Sequence, residues 1–308
     1  MGQDRAESDK KFYSKVLLFG EYSVIQHSMG LCIPYTLFDG KLSFRRDNTA
    51  VIDPELKAFS LFIKQLIDNN QLSFQFDITS FEFDISQGLF FDSTIPQGYG
   101  VGSSGALVAA IFDRYEQENH SSLDISKLKK IFSQLESHFH GASSGVDPLI
   151  SYLNSPILIK NKNDLGPVTI PNFPKGPGGI FLLNTKRSRK TEPLVNLFLE
   201  KTTNTKFNET CEAVLKPITN DCIKNFLEGD TNLLLENFKQ LSQFQYEHLS
   251  PMIPKLYRSL WTEGIKSDDY FLKLCGAGGG GFLMGITRDF QKVKHVLSAH
   301  EIRLLLSF

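Results

Sequence analysis

Apolar residues are distributed along the chain in short runs and at two different spacings, which together predict a mixture of strands and helices. Lys15-Val16-Leu17-Leu18-Phe19 is a short apolar run that meets Gly20-Glu21-Tyr22, as a buried strand does where the chain turns, and a second strand signal runs from Leu31 to Pro34. Over residues 57–67, Phe59, Phe62, Ile63 and Leu66 fall at helical spacing and give one apolar face. The stretch FEFDI at 81–85 alternates apolar and polar positions, and Gln87-Gly88 supplies a turn before Leu89-Phe90-Phe91, so a β-hairpin is predicted there. A glycine-rich run ending at Gly105 then opens ALVAAIFDRYEQ, a strong helix-forming sequence.

Further along, Ile125, Leu128, Ile131, Phe132, Leu135 and Phe139 lie three or four residues apart and predict an amphipathic helix with Glu136 near its C-terminal end. PNFPKGPGG at 171–179 breaks all periodicity and is the expected domain junction. Beyond it, two or three helical patterns lie between 191 and 264, and FLKLC reads as a strand running into Gly276-Ala277-Gly278-Gly279-Gly280-Gly281. The closing KVKHVLSAHEIRLLLSF reads as a helix followed by a strand. The expected organisation is a polar tail over 1–12, an N-terminal domain over 13–172 and a C-terminal domain over 173–308.

Composition narrows the class. A chain of 308 residues that is 41% hydrophobic and 22% charged is that of a globular protein with more than one core. With 33 Lys and Arg against 34 Asp and Glu, the net charge is -1, so no whole-molecule field draws in nucleic acid and any anion site must be local. No apolar run approaches the roughly 18 to 20 residues that cross a bilayer, and the opening MGQDRAESDKKF lacks the apolar centre of a secretory signal. The expectation is a cytoplasmic protein with no membrane partner. Cys32, Cys211, Cys222 and Cys275 are far apart in the sequence and read as reduced thiols.

Candidate chemistry concentrates in Gln97-Gly98-Tyr99-Gly100-Val101-Gly102-Ser103-Ser104-Gly105. Small residues at the start of a helix leave backbone N–H groups unpaired and let an anion approach them, which makes such a loop a phosphate cradle. The glycines are followed by neither Lys-Ser nor Lys-Thr, and they do not have the dinucleotide-binding spacing. A plain strand-to-helix turn is the alternative reading of the loop on its own.

Pro96 to Ala106 resembles the second signature of the GHMP kinases. Lys15 to Val24 is similar to the first signature, and Lys273-Leu274-Cys275 followed by Gly276 to Phe282 resembles the third, in the order the superfamily keeps. Between them, Glu136-Ser137-His138-Phe139-His140-Gly141-Ala142-Ser143-Ser144-Gly145-Val146-Asp147 resembles the mevalonate kinase branch, as does Thr185-Lys186-Arg187-Ser188-Arg189-Lys190-Thr191. Two positions depart from the usual pattern: Tyr13-Ser14 precedes Lys15 in place of Pro-Gly, and Tyr22 follows Glu21 in place of His.

The resemblance implies a two-domain α+β GHMP kinase fold, with an N-terminal domain like ribosomal protein S5 domain 2 and a ferredoxin-like C-terminal domain. It implies ATP and Mg2+ as cofactors, with Gly98, Gly100, Val101, Gly102, Ser103 and Ser104 holding the nucleotide. Ser104 and Glu136 would hold the metal, which as a hard cation takes oxygen ligands. Asp147 would accept the proton of the acceptor hydroxyl and Lys15 would lie beside it. Glu21, Tyr22, His140, Ser144, Thr185, Arg189, Gly278 and Gly279 are the implied substrate residues, and an arginine can grip an acceptor carboxylate through two hydrogen bonds. The implied reaction is phosphorylation of the primary hydroxyl of mevalonate. The alternatives are a phosphomevalonate kinase, another small-molecule GHMP kinase, or a catalytically silent relative that senses a metabolite. The expected partner is a small molecule, with neither nucleic acid nor membrane, and a homodimer is left open.

Overall fold

The computed structural model describes residues 9–45, 51–117, 124–161, 163–189 and 192–308. Residues 1–8 of the polar tail, and Lys190 and Thr191 of the basic segment, lie outside the described residues. The chain gathers into two compact units, one from residues up to Lys15, Pro34–Pro96 and Gly102–Ser155, the other from Val16–Ile33, Gln97–Val101 and Pro156–Phe308.

The chain begins with β1 (Phe12–Phe19) and β2 (Gly30–Phe44), neighbouring strands that each run on from one unit into the other. In the first unit follow α1 (Pro54–Asp68), α2 (Ile78–Ser86), β3 (Leu89–Ser93), α3 (Ser103–Tyr115), α4 (Ile125–His140) and α5 (Val146–Leu153). β3 pairs antiparallel with the far half of β2, from Gly40↔Ser93 to Phe44↔Leu89. Asp53 caps α1 by accepting from the Glu55 and Leu56 amides, and Asp124 caps α4 through the Ser126 amide. The helices bury Phe59, Ile63, Phe81, Phe112, Phe132 and Leu135, with the rings of Phe112 and Phe132 edge-to-face at 5.0 Å.

The hairpin predicted over 81–91 is half correct. Leu89–Phe91 lie in β3, but 81–85 lie in α2, which Asp77 caps through the Ser80 amide. The alternation F-E-F-D-I also contains a helical face: Phe81, Asp84 and Ile85 are buried, while Phe83, on the opposite side of the helix, is 61% exposed. Asp84 is buried because it accepts from the Arg114 Nε (3.2 Å) and Nη2 (3.1 Å) and from the Tyr115 hydroxyl (2.8 Å).

In the second unit β4 (Ile157–Ile159) pairs with the start of β2, and β5 (Leu165–Pro167) pairs with β4. The Pro- and Gly-rich stretch precedes β6 (Gly179–Asn184), and the chain continues through α6 (Glu192–Thr202), α7 (Thr205–Thr210), α8 (Lys216–Glu228), α9 (Thr231–His248) and α10 (Arg258–Ser267). This is more helices than the periodicity predicts. The breaks are short: Asn204 caps α7 directly after α6, residues 211–215 wind as a π-helix into α8, and Gly229 and Asp230 separate α8 from α9. β7 (Phe271–Leu274), β8 (Phe282–Thr287), α11 (Phe290–Val296) and β9 (Ile302–Ser307) complete an antiparallel sheet in the order β7-β8-β6-β9. Phe181, Leu183, Phe238, Trp261, Leu272 and Leu283 are among its buried core, and the Trp261 indole donates to the Ser242 carbonyl at 3.2 Å.

Candidate active site

The glycine loop passes from the second unit into the first at Gly102, whose left-handed backbone (φ 80°) starts α3 without a side-chain cap. The amides of Ser103 and Ser104 therefore belong to the first turn, where no helical carbonyl serves them. A Cβ on Gly102 would stand 3.0 Å from Lys15 Cγ, so glycine leaves room for the lysine chain. Lys15 Nζ lies 3.0 Å from Asp147 Oδ1, with the lysine largely buried and the carboxylate 32% exposed.

Asp147 is in the first turn of α5. A Cβ on Gly105 of α3 would lie 2.8 Å from the Asp147 carbonyl carbon and 2.8 Å from Pro148 N, so α3 and α5 touch through their backbones at this point. Gly145, the N-cap of α5, has φ 73°, and a Cβ there would stand 2.2 Å from the Lys129 carbonyl oxygen of α4. Two glycines thus set α5 against both helices that carry the other acidic-cluster residues.

Glu136, near the end of α4, is buried and has the Ser104 hydroxyl at 3.2 Å on Oε1 and the Ser143 hydroxyl on Oε2. Desolvation, reinforced by the charge of Asp147, pushes its carboxyl up to about 7 against the pull of Ser143, Lys15 and Ser104. His140 places Nε2 2.9 Å from Ser104 Oγ, the donor depending on the imidazole tautomer. His138 instead turns into an aromatic group, 5.3 Å from the Phe59 ring and 5.0 Å from that of Phe62. Ser144 is exposed, and its hydroxyl accepts from the Val146 amide at 3.4 Å. The serine that reaches the carboxylate is Ser143, which the motif-based reading passes over.

This donor set suits a magnesium ion. Among the described residues no three His, Cys, Asp or Glu are arranged to hold a metal, so an all-protein cage is absent there. A hydroxyl and a carboxylate, with phosphate oxygens and water completing the shell, are what a small hard cation that dehydrates reluctantly takes. A cation beside the buried Glu136 carboxyl would offset its desolvation.

The remaining candidates lie in the second unit. Gly98, Gly100 and Val101 belong to its stretch of loop, with Gly98 and Gly100 both in left-handed conformation (φ 74° and 72°). The Arg189 amide donates to the Gly98 carbonyl at 2.9 Å, and the Gly281 amide to the Arg187 carbonyl at 2.6 Å, so 187–189 connect the loop to the glycine-rich turn after β7. Thr185 is buried with its hydroxyl on the Gly281 carbonyl (2.7 Å). Gly278 and Gly279 serve close packing: a Cβ on the first would stand 2.5 Å from the Met252 carbonyl oxygen, and on the second 2.7 Å from Leu194 Cδ1.

Tyr22 is buried in a left-handed conformation (φ 63°), stacked on Phe198 at 4.7 Å and donating its hydroxyl to the Ala277 carbonyl at 2.5 Å. Burial raises its phenol well above the ordinary range. Glu21 is paired with Lys273, both side chains shielded from solvent, and Lys273 also donates to the Leu274 carbonyl at 2.8 Å. Desolvation raises the Glu21 carboxyl, against the pull of Lys273. Lys273 is absent from the sequence-based candidates, although a lone lysine inside an apolar strand is a signal that a buried partner exists.

The chain is similar to known proteins in sequence and in fold. Residues 61–155 match the family of GHMP kinases, N terminal domain. The chain is 24% identical over 287 residues to a mevalonate kinase of Archaeoglobus fulgidus, an alignment covering 88% of this chain and 89% of that protein. The fold is similar to L. major mevalonate kinase, solved with R-mevalonate (TM-score 0.63, 15% identity, 96% and 93% of the two chains), and to Streptococcus pneumoniae phosphomevalonate kinase, solved with phosphomevalonate and AMPPNP (TM-score 0.64, 15% identity, 97% and 98%). Residues 61–155 thus match a GHMP kinase N-terminal domain, and over nearly its whole length the chain is similar in sequence to a mevalonate kinase and shares the fold of solved GHMP kinases.

Proposed function

We propose that the protein is an ATP-dependent kinase that phosphorylates the primary hydroxyl of mevalonate. The observation that carries this reading is the pairing of Lys15 with Asp147 at 3.0 Å in the same unit as the Glu136, Ser104 and Ser143 cluster. Lys15 and Asp147 handle the acceptor, and Glu136 and Ser104 handle the charge on the nucleotide. The acceptor oxygen attacks the γ-phosphorus, the bond to the bridging oxygen of ADP breaks, and Asp147 takes the hydroxyl proton. Lys15 stabilises the negative charge that develops on the attacking oxygen and holds the carboxylate in place. Magnesium held by Ser104 and Glu136 would neutralise phosphate charge. The amides of Ser103 and Ser104 at the start of α3 offer donors to the phosphates.

A relative similar in sequence over 88% of this chain is a mevalonate kinase, which favours that acceptor. Fold similarity does not separate it from phosphomevalonate, since TM-scores of 0.63 and 0.64 are equivalent. The test is ADP release by the purified protein with ATP and Mg2+, supplying mevalonate, phosphomevalonate, galactose and homoserine separately. Turnover with mevalonate that collapses in Asp147→Asn supports both acceptor and residue. Turnover with a different acceptor keeps the kinase and discards mevalonate, and ATP binding without any turnover discards the catalytic reading for these four acceptors.

A further inference from the structure

Glu21, Lys273 and Arg189 form a group in the second unit whose charges do not cancel. Glu21 is paired with Lys273, and the same carboxylate is close enough to Arg189 to offset part of the guanidinium charge that burial disfavours. Tyr22 beside them is kept neutral by burial. One carboxylate against two cations leaves an excess positive charge, and a shielded charge without its counter-ion is costly. The hydrogen bonding is incomplete in the same sense. Arg189 Nη2 donates to the Cys275 carbonyl at 3.3 Å, whereas Nε and Nη1 are shielded from solvent and have no acceptor among the described residues. Among the described residues, two buried donors have no acceptor and one positive charge has no matching anion.

The seat of the guanidinium identifies the class of anion. Arg189 is bound to the glycine loop through its main chain, at the Gly98 carbonyl, and through its side chain, which lies against Gly100 and Gly276. A Cβ on Gly100 would stand 2.0 Å from Nη2 and one on Gly276 would stand 2.6 Å from it, so both positions must lack a side chain for the arginine to fit. The positive charge is therefore built into the loop whose glycines resemble a phosphate cradle. We propose that Arg189 is a phosphate-binding residue of the glycine loop, its Nε and Nη1 taking the terminal phosphates of a nucleoside triphosphate and not the carboxylate of the acceptor. This rests on the kinase reading above and assigns the charge on one of its substrates. A planar guanidinium offers two parallel donors to a phosphate.

Calorimetric titration of the full-length protein in Mg2+ buffer, with AMPPNP, tripolyphosphate and mevalonate as separate titrants, compares the wild type with Arg189→Gln and Arg189→Lys. The glutamine variant is expected to bind AMPPNP and tripolyphosphate about tenfold or more weakly, the lysine variant to recover part of that loss, and mevalonate affinity to stay within about threefold. Thermal melting checks that both variants fold, and if the glutamine variant does not, the lysine variant carries the comparison. Weakening of mevalonate alone, equal weakening of all titrants, or no change in either phosphate probe overturns the proposal. A wild-type protein that binds AMPPNP as well as its variants removes this inference only. A wild-type protein that binds neither phosphate probe removes the kinase reading with it.

Discussion

Each of the two units contains a carboxylate buried among hydroxyls or cations, but the imbalance of charge is opposite. In the first, Glu136 and Asp147 face one lysine, Lys15, and burial together with the neighbouring carboxylate drives Glu136 up to about 7. In the second, Glu21 faces Lys273 and Arg189, and two guanidinium nitrogens have no acceptor among the described residues. A fully paired buried cluster would be a structural element with no further requirement. Among the described residues the first cluster carries excess negative charge and the second excess positive charge.

The largest expected effect breaks the first cluster. Asp147→Asn should lower kcat by about 10² to 10⁴-fold if the residue handles the acceptor proton. The same change removes a negative neighbour and so lowers the Glu136 carboxyl, which would remain raised because desolvation is its leading cause; steady-state kinetics and a carboxyl titration followed by NMR check the two halves. Lys273→Met breaks the second cluster and should cost about 3–5 kcal/mol in urea unfolding, because it leaves Glu21 buried beside fewer cations. Adding Glu21→Gln should recover much of that loss, and a double variant no better than the single one would show that the pair is not the source.

A gentler change sharpens the contrast. The Glu136 proton is held more tightly in the folded protein, at about 7, than at the ordinary 4.5 of an unfolded chain. This group therefore favours folding below about pH 4.5 and that contribution is lost as pH rises to about 7. Glu136→Gln should flatten this dependence and make the metal-free protein more stable at pH 8, by up to about 3 kcal/mol, while abolishing turnover. Melting curves from pH 4 to 8 decide it. Smallest is Gly105→Ala, which should cost about 1–3 kcal/mol by pressing α3 onto the Asp147 and Pro148 backbone. Its activity should fall further than its stability if α5 is displaced.

Much of this arrangement is legible in the sequence where a residue type has one physical use. The glycines of the loop and the amphipathic spacing of α4 are of this kind. Where two periodicities coincide, the sequence misleads: residues 81–85 satisfy both an alternating and a helical pattern, and the contact of Asp84 with Arg114 and Tyr115 decides between them. Ser143 and Ser144 are equivalent by type, and only the turn between α4 and α5 determines which hydroxyl meets Glu136. The motif named Glu21 but not the lysine 252 residues away that neutralises it, since nothing local to either residue specifies the other.

Gly145 has no functional group, yet its missing side chain determines how closely α5 approaches α4, and with that the gap between the carboxylates of Asp147 and Glu136. A survey of tolerated substitutions would therefore score it alongside the acids. Intolerance at such a position measures the tolerance in distance of the chemistry nearby, and a library built to alter the spacing of these two acids would do better to vary the backbone at 145 than to exchange the acids themselves.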